Sequence, residues 1–267
     1  MIAAGRGIPP PANLHRLGNA PRGASAARRI ARMEGAPTSP ENARLLILAG
    51  VALGWLVSLM VHEWAHSIVA FHGGDRGVEE RGYLSWNPLK FLHPVWSVVF
   101  PMVVLFLGGI ALPGAAVYID REALRSRAWD SSVSLAGPLS NLLLGLALGV
   151  AFRFVIRGMD PDHPSIAAVV LCTLVFLQFM ACILNLIPLP PLDGWQAIRP
   201  WLPHETQAAG DRLSILGIVV ILSSCSIPAL RRAIFAFIMF FVVDVLGIDP
   251  RLFSDYLSAG FNGLGIF

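Results

Sequence analysis

The chain has 267 residues, of which 55% are hydrophobic and 14% charged, with a mean hydropathy of +0.64. Soluble domains carry about 25% charged residues, so an ordinary soluble globular protein is excluded. The net charge of +3 comes mainly from Arg6, Arg16, Arg22, Arg28, Arg29 and Arg32, in a stretch without aromatic residues, which argues against a nucleic-acid surface.

Residues 1–40 are rich in Arg, Ala, Pro and Gly and lack apolar periodicity, so they are expected to be a disordered tail. No apolar core adjoins a cleavage site, so a secretory signal is not expected. The Arg-rich, nearly acid-free composition also suits an organellar transit segment, and Met33 would open a shorter chain. The first helix is expected to start after the tail, with Ser39 or Asn42 as cap and Glu41 in the first turn.

Apolar runs follow near 45–71, 95–112, 133–152, 165–187, 213–227 and 229–247. A bilayer core of ~30 Å needs about 20 apolar residues as a helix. Most runs meet that length, and 95–112 and 213–227 are marginal. The expected fold is an all-α polytopic membrane protein of about 5–6 apolar helical segments. A membrane-embedded domain spans 41–250, and a C-terminal tail occupies 251–267. Tyr83, Leu84 and Trp86 suggest a small β-hairpin element near 77–90. It could offer an edge to an extended peptide by strand addition, or lie at the interface with Trp86 as anchor. Cys172, Cys182 and Cys225 lie in apolar runs without metal-type spacing and read as small core residues.

Within the first run, HEWAH over 62–66 places His62 and His66 at i and i+4. On a helix both imidazoles leave one face, about 6 Å apart along the axis. Glu63 is turned by about 100°. This is H-E-x-x-H, in which two imidazoles hold zinc and the glutamate reaches the activated water. Ionisable groups inside a membrane helix are functional by default. His72, at the helix end, reads as interfacial. Trp55 and Trp64 read as lipid or packing contacts.

A catalytic zinc takes a third protein ligand and leaves one position open. The stretch LNLIPLPPLDGWQ, 184–196, offers Asp193 in backbone broken by Pro188, Pro190 and Pro191. Irregular backbone at membrane depth lines a cavity or packs on protein. Asp193 can equally be a carboxylate at a helix end in water, and position alone does not decide. Gly194 permits a turn that would aim the carboxylate inward.

Four ordered segments resemble the site-2 protease family of intramembrane zinc metalloproteases, in its compact bacterial branch without PDZ or CBS domains. They are HEWAH at 62–66, GYLSWNPLKFLHP at 82–94, SLAGPLSN at 134–141 and NLIPLPPLDG at 185–194. Two features depart from the branch: His93 stands where an aspartate is usual, and GGIALPGAAVYID, 108–120, lacks the usual Lys-Pro. The resemblance implies one Zn²⁺ held by His62, His66 and Asp193, Glu63 as catalytic base, and Asn185 and Asn141 as polar partners of substrate. It also implies a transmembrane-protein substrate and a bilayer setting, a bacterial inner membrane before an organellar one. The alternatives are a catalytically silent metal-binding membrane protein and a metal transporter.

If His62, His66 and Asp193 share one zinc at one depth, the helices preceding them cross the bilayer in the same direction. That requires an odd number of crossings between them. The run 133–152 is long enough to cross. The run 95–112, with Pro101 and Gly108-Gly109, is expected to enter and return or to lie partly in the interface. The resemblance puts the zinc nearer the cytoplasmic face, with the first helix running inward.

Overall fold

The computed structural model of the protein describes residues 39–91, 117–157, 159, 164–214 and 227–263. Among the described residues three helices are long and apolar enough to cross a membrane: Glu41–Gly73, Arg127–Val155 and Ile166–Asn185. The first belongs to α1 (Pro40–Gly73). A single turn, α2 (Gly77–Glu80), follows, then a 3-10 turn at Pro88–Lys90. The second is α3 (Arg127–Val155) and the third α4 (Ile166–Asn185). Short helices α5 (Asp193–Ile198) and α6 (His204–Arg212) come next. α7 (Pro228–Met239) runs into a π-helical turn, Phe240–Val245, and α8 (Pro250–Gly263) closes the described chain. The runs 95–112 and, for the most part, 213–227 lie outside the described residues, as does the tail up to residue 38.

The long helices begin where serine can cap them. Ser39, Ser126 and Ser165 are extended, and each side-chain oxygen accepts a backbone N–H three residues on, satisfying one of the donors a helix start leaves orphaned. Pro40 follows Ser39 at the first helical position, where its missing N–H costs nothing.

Contacts fix the helix directions. A Cβ on Gly50 would lie 3.0 Å from Val170, and one on Gly54 would lie 2.4 Å from Leu174. Ser58 donates a hydrogen bond to Gln178 at 2.7 Å, 120 residues further along the chain. The same offset holds at all three steps, so α1 and α4 are parallel. Gly50, Gly54 and Ser58 recur every fourth residue, a small-residue seam of the kind that lets membrane helices approach closely. α3 is antiparallel to α1: Val133 meets His66, while Asn141, eight residues later, meets His62. Among the described residues one long helix therefore separates the parallel pair. The expectation for 95–112 concerns residues outside that set.

Two expectations are corrected. Residues 77–90 contain no strand: they form α2, turns and the 3-10 turn. Buried Asp75 accepts from Gly77 N at 3.0 Å, Arg81 Nη2 at 2.8 Å and Asp120 N at 2.8 Å. Tyr83 N bonds to Val78 O, and Ser85 N to Gly82 O, while Gly82 takes φ 80°. Local turns thus consume backbone groups that a ladder would need. Trp86 is 60% exposed and stacks on Trp64, with ring centroids 5.7 Å apart. The second correction concerns residues 251–263, expected as tail. They are mostly α8, whose Phe253, Tyr256, Leu257 and Ala259 are buried in the main core with Phe152, Val169 and Cys172. The i, i+3, i+4 spacing of Phe253, Tyr256 and Leu257 is that of a one-sided helix, outweighed in the sequence by interspersed polar residues.

Candidate metal centre

His62 and His66 lie in the C-terminal half of α1, and Asp193 is the first residue of α5. All three converge. The Nε2 atoms of His62 and His66 are 3.1 Å apart. Asp193 Oδ2 is 3.2 Å from His62 Nε2, and Oδ1 is 3.5 Å from His66 Nε2. Among the described residues these form the one group of His, Cys, Asp or Glu able to hold a metal ion.

The group fits zinc. Ligand bonds of ~2.0–2.2 Å in a tetrahedron put ligand atoms about 3.3–3.5 Å apart, near the spacing found. Asp193 Oδ2 is buried without a hydrogen-bond partner, an orphan that a metal would satisfy. Burial pushes the Asp193 pKa up, but the facing imidazoles of His66 and His62 outweigh it and hold the carboxyl below the usual carboxylate range.

α3 supplies the wall behind the imidazoles. A Cβ on Gly137 would lie 2.3 Å from His66 Nε2 and 2.5 Å from His62 Cε1, so only glycine lets the rings sit there. Pro138 has no N–H to give the carbonyl of Ser134 and loosens that turn. There the carbonyl of Val133 lies 2.7 Å from His66 Nδ1. A carbonyl can only accept, so Nδ1 carries the proton and Nε2 keeps its lone pair for a metal.

Glu63 is buried, 7% exposed. Its Oε2 accepts the N–H of Val117 at 3.0 Å. Asn185, half-buried at the end of α4, has no side-chain hydrogen bond among the described residues. Asn141 is buried, and its amide faces His62 Nδ1 at 3.0 Å. His72 is exposed and bonds to Ile68 O, so the three-ligand group forms without it. Gly194 acts through space: a Cβ there would meet Leu186 O at 2.3 Å, so its absence lets α5 fold back on the end of α4 and bring Asp193 to the histidines.

The chain is 40% identical over 219 residues, 82% of its length, to a protein of Mycolicibacterium smegmatis, covering 80% of that relative. It is also 40% identical over 216 residues to a Mycobacterium tuberculosis protein, with 79% and 81% of the two chains covered. Both are named "Putative zinc metalloprotease Rip2". The chain belongs to the site-2 protease family. A more distant relative, of Bacillus subtilis, is 27% identical over 182 residues, 67% of this chain and 80% of its own, and is named "Putative zinc metalloprotease YwhC". No family model matches, and no solved structure matches. Zinc is thus the metal the relatives' names imply for the His62, His66 and Asp193 group. Two parts of the family-type site escaped the sequence reading: the Gly137 wall and the Val133 carbonyl. Gly137 stands inside the quoted SLAGPLSN segment, and its four-residue spacing to Asn141 was the available signal. A backbone carbonyl leaves none.

Proposed function

We propose that the chain is an intramembrane zinc metalloendopeptidase of site-2 protease type, binding one Zn²⁺ and hydrolysing peptide bonds in or near transmembrane segments of membrane-protein substrates. The observation that carries this is the group of two buried imidazoles and one half-buried carboxylate, with Glu63 beside the imidazoles on a helix apolar and long enough to cross a bilayer.

When bound, zinc supplies a Lewis acid that polarises the scissile carbonyl and makes water acidic enough to attack near neutral pH. Glu63 takes the proton of the attacking water and hands it to the leaving nitrogen. The N–H of Val117 occupies Oε2, leaving Oε1 for that transfer. His62, His66 and Asp193 hold the metal. Asn185, eight residues before Asp193 and without a side-chain hydrogen bond among the described residues, binds the substrate backbone. Asn141, for which the same role was expected, is turned to His62.

The protein is placed in a bacterial inner membrane, metal end toward the cytoplasm. Described loops at that end carry Arg76, Arg81, Lys90, Arg121 and Arg125, and Arg199 and Arg212 lie beyond Asp193. The opposite end carries fewer among the described residues, Arg44, Arg153, Arg157 and Arg251. Among the described residues this bias favours the orientation under the positive-inside rule, which the six arginines before Met33 oppose.

The test is cleavage of a single-span substrate by the full chain in liposomes, with Glu63→Gln as control. Zinc-dependent cleavage that disappears in Glu63→Gln, with zinc retained, is expected. Undiminished cleavage by Glu63→Gln would overturn the base assignment. Zinc flux without cleavage would make the protein a transporter.

A further inference from the structure

We propose that Asn141 is a positioning residue of the metal centre: its side-chain Oδ1 accepts the Nδ1 proton of His62 and so leaves His62 Nε2 to the metal. This rests on the zinc assignment above and goes beyond it, because no part of that assignment gives Asn141 a role toward a ligand.

His62 turns Nε2 toward His66 and Asp193, at 3.1 and 3.2 Å. An imidazole that ligates through Nε2 carries its proton on Nδ1. That proton needs an acceptor, because ring and amide are both buried, at 8% and 3% exposure. The group opposite Nδ1 is the Asn141 amide, at 3.0 Å. With Nδ2 toward the ring, as it stands, the contact suits the other tautomer, in which Nδ1 accepts. Oδ1 is then buried without any partner. A half-turn of the amide brings Oδ1 onto the Nδ1 proton. It pairs the orphaned acceptor and selects the ligating tautomer in one step.

The second histidine shows the same device in fixed form. The Val133 carbonyl, two turns earlier on α3, accepts from His66 Nδ1. Gly137 lies between the two acceptors and gives both rings their space. One face of α3 thus serves His66 through backbone and His62 through a side chain. Only the side chain can be altered without disturbing the helix. Partners of this kind orient metal-bound histidines, and losing one typically costs 10–100-fold in metal affinity.

The experiment measures Zn²⁺ dissociation constants of the full chain in detergent micelles, by competition with a chromophoric chelator. It compares the wild type, Asn141→Leu and Asn141→Asp. Leucine keeps the branching, is larger, and loses the acceptor; aspartate keeps the size and the acceptor and loses the donor. Asn141→Leu is expected to bind zinc about 10–100-fold more weakly. Asn141→Asp is expected to stay within about three-fold of wild type, which a donor role of the Asn141 amide toward His62 would not give. The visible spectrum of the Co²⁺-loaded protein should likewise be preserved in Asn141→Asp and altered in Asn141→Leu. Wild-type affinity and an unaltered Co²⁺ spectrum in Asn141→Leu would overturn the proposal. If Asn141→Leu fails to elute as a folded species, Asn141→Asp decides: a ten-fold or greater loss of zinc affinity there overturns it. Failure of the underlying zinc assignment is distinguishable, because the wild-type chain itself would then bind no zinc.

Discussion

Two stretches of one helix meet their neighbours by opposite means. From Gly50 to Ser58, α1 is the slender partner, and α4 brings Val170 and Leu174 against it. From His62 to His66, α1 carries the bulk, and α3 makes room at Gly137. Residues recur every fourth position in both. In the upper stretch a glycine faces the ends of aliphatic side chains, which can shift. In the lower one it faces two rings held by hydrogen bonds, in the group that could hold a metal. Closeness in the first contributes packing; closeness in the second would serve coordination. Equal substitutions should therefore act differently in the two.

The largest effect is expected from Asp193→Ala. It should take zinc from one per chain to near zero by elemental analysis and abolish cleavage, because two imidazoles alone leave the set incomplete. Unchanged stoichiometry would move the third ligand elsewhere. Gly137→Ala should come next. Its methyl enters the space of both imidazoles, so zinc affinity should fall by about ten-fold or more while the thermal midpoint of the zinc-free protein moves little. Gly54→Ala is the matched probe of the upper stretch. Its methyl meets Leu174 Cδ1, so zinc affinity should hold, with stability lowered by the ~1–3 kcal/mol of overpacking. A zinc defect in Gly54→Ala as large as in Gly137→Ala would erase the distinction between the stretches.

Smaller effects sharpen it. Ser58→Ala removes the donor to Gln178 Oε1 and should cost about 0.6 kcal/mol, the average for such bonds between membrane helices, read as a shift in thermal unfolding. Outside both stretches, Arg199→Ala breaks the ion pair with Asp211, whose Nη2–Oδ2 distance is 2.8 Å. Salt screens so exposed a pair, and ~0.2–1 kcal/mol is expected. The Arg199 guanidinium lowers the Asp211 pKa. Its contribution is therefore present above the ordinary aspartate value of about 3.9 and lost as pH falls through the lowered one. The difference between Arg199→Ala and wild type should close at acid pH.

The residues proposed to carry the chemistry were legible in the sequence. His62, Glu63 and His66 show themselves by helical spacing in an apolar run. Asp193 needed the family resemblance, because a carboxylate after a hydrophobic helix is otherwise ambiguous. Ser39 as cap was readable from its place before Pro40 and Glu41. Three features were not readable. The Val133 carbonyl has no side-chain signature. Gly194 suggests a flexible turn in sequence, yet its service is the room it leaves beside Leu186 O. Tyr83, Leu84 and Trp86 favour a strand by propensity, but Asp75, a neighbour rather than a member of that segment, gathers its backbone into turns. Propensity is a property of single residues, and the turn bonds that overrode it, such as Tyr83 N to Val78 O, form inside the segment once Asp75 holds its start.

The constant offset between α1 and α4 makes the pair a ruler read from the metal end. Removing one residue between Ser58 and His62 would turn both imidazoles by about 100° and raise them ~1.5 Å, away from Asp193. Lengthening both helices before Gly50 and Val170 leaves every rung in place. A whole added turn moves the far ends about 5.4 Å outward and does not touch the site. Adaptation to a thicker or thinner bilayer is therefore available at the capped ends near Ser39 and Ser165, in matched steps on the two helices, without cost to the metal.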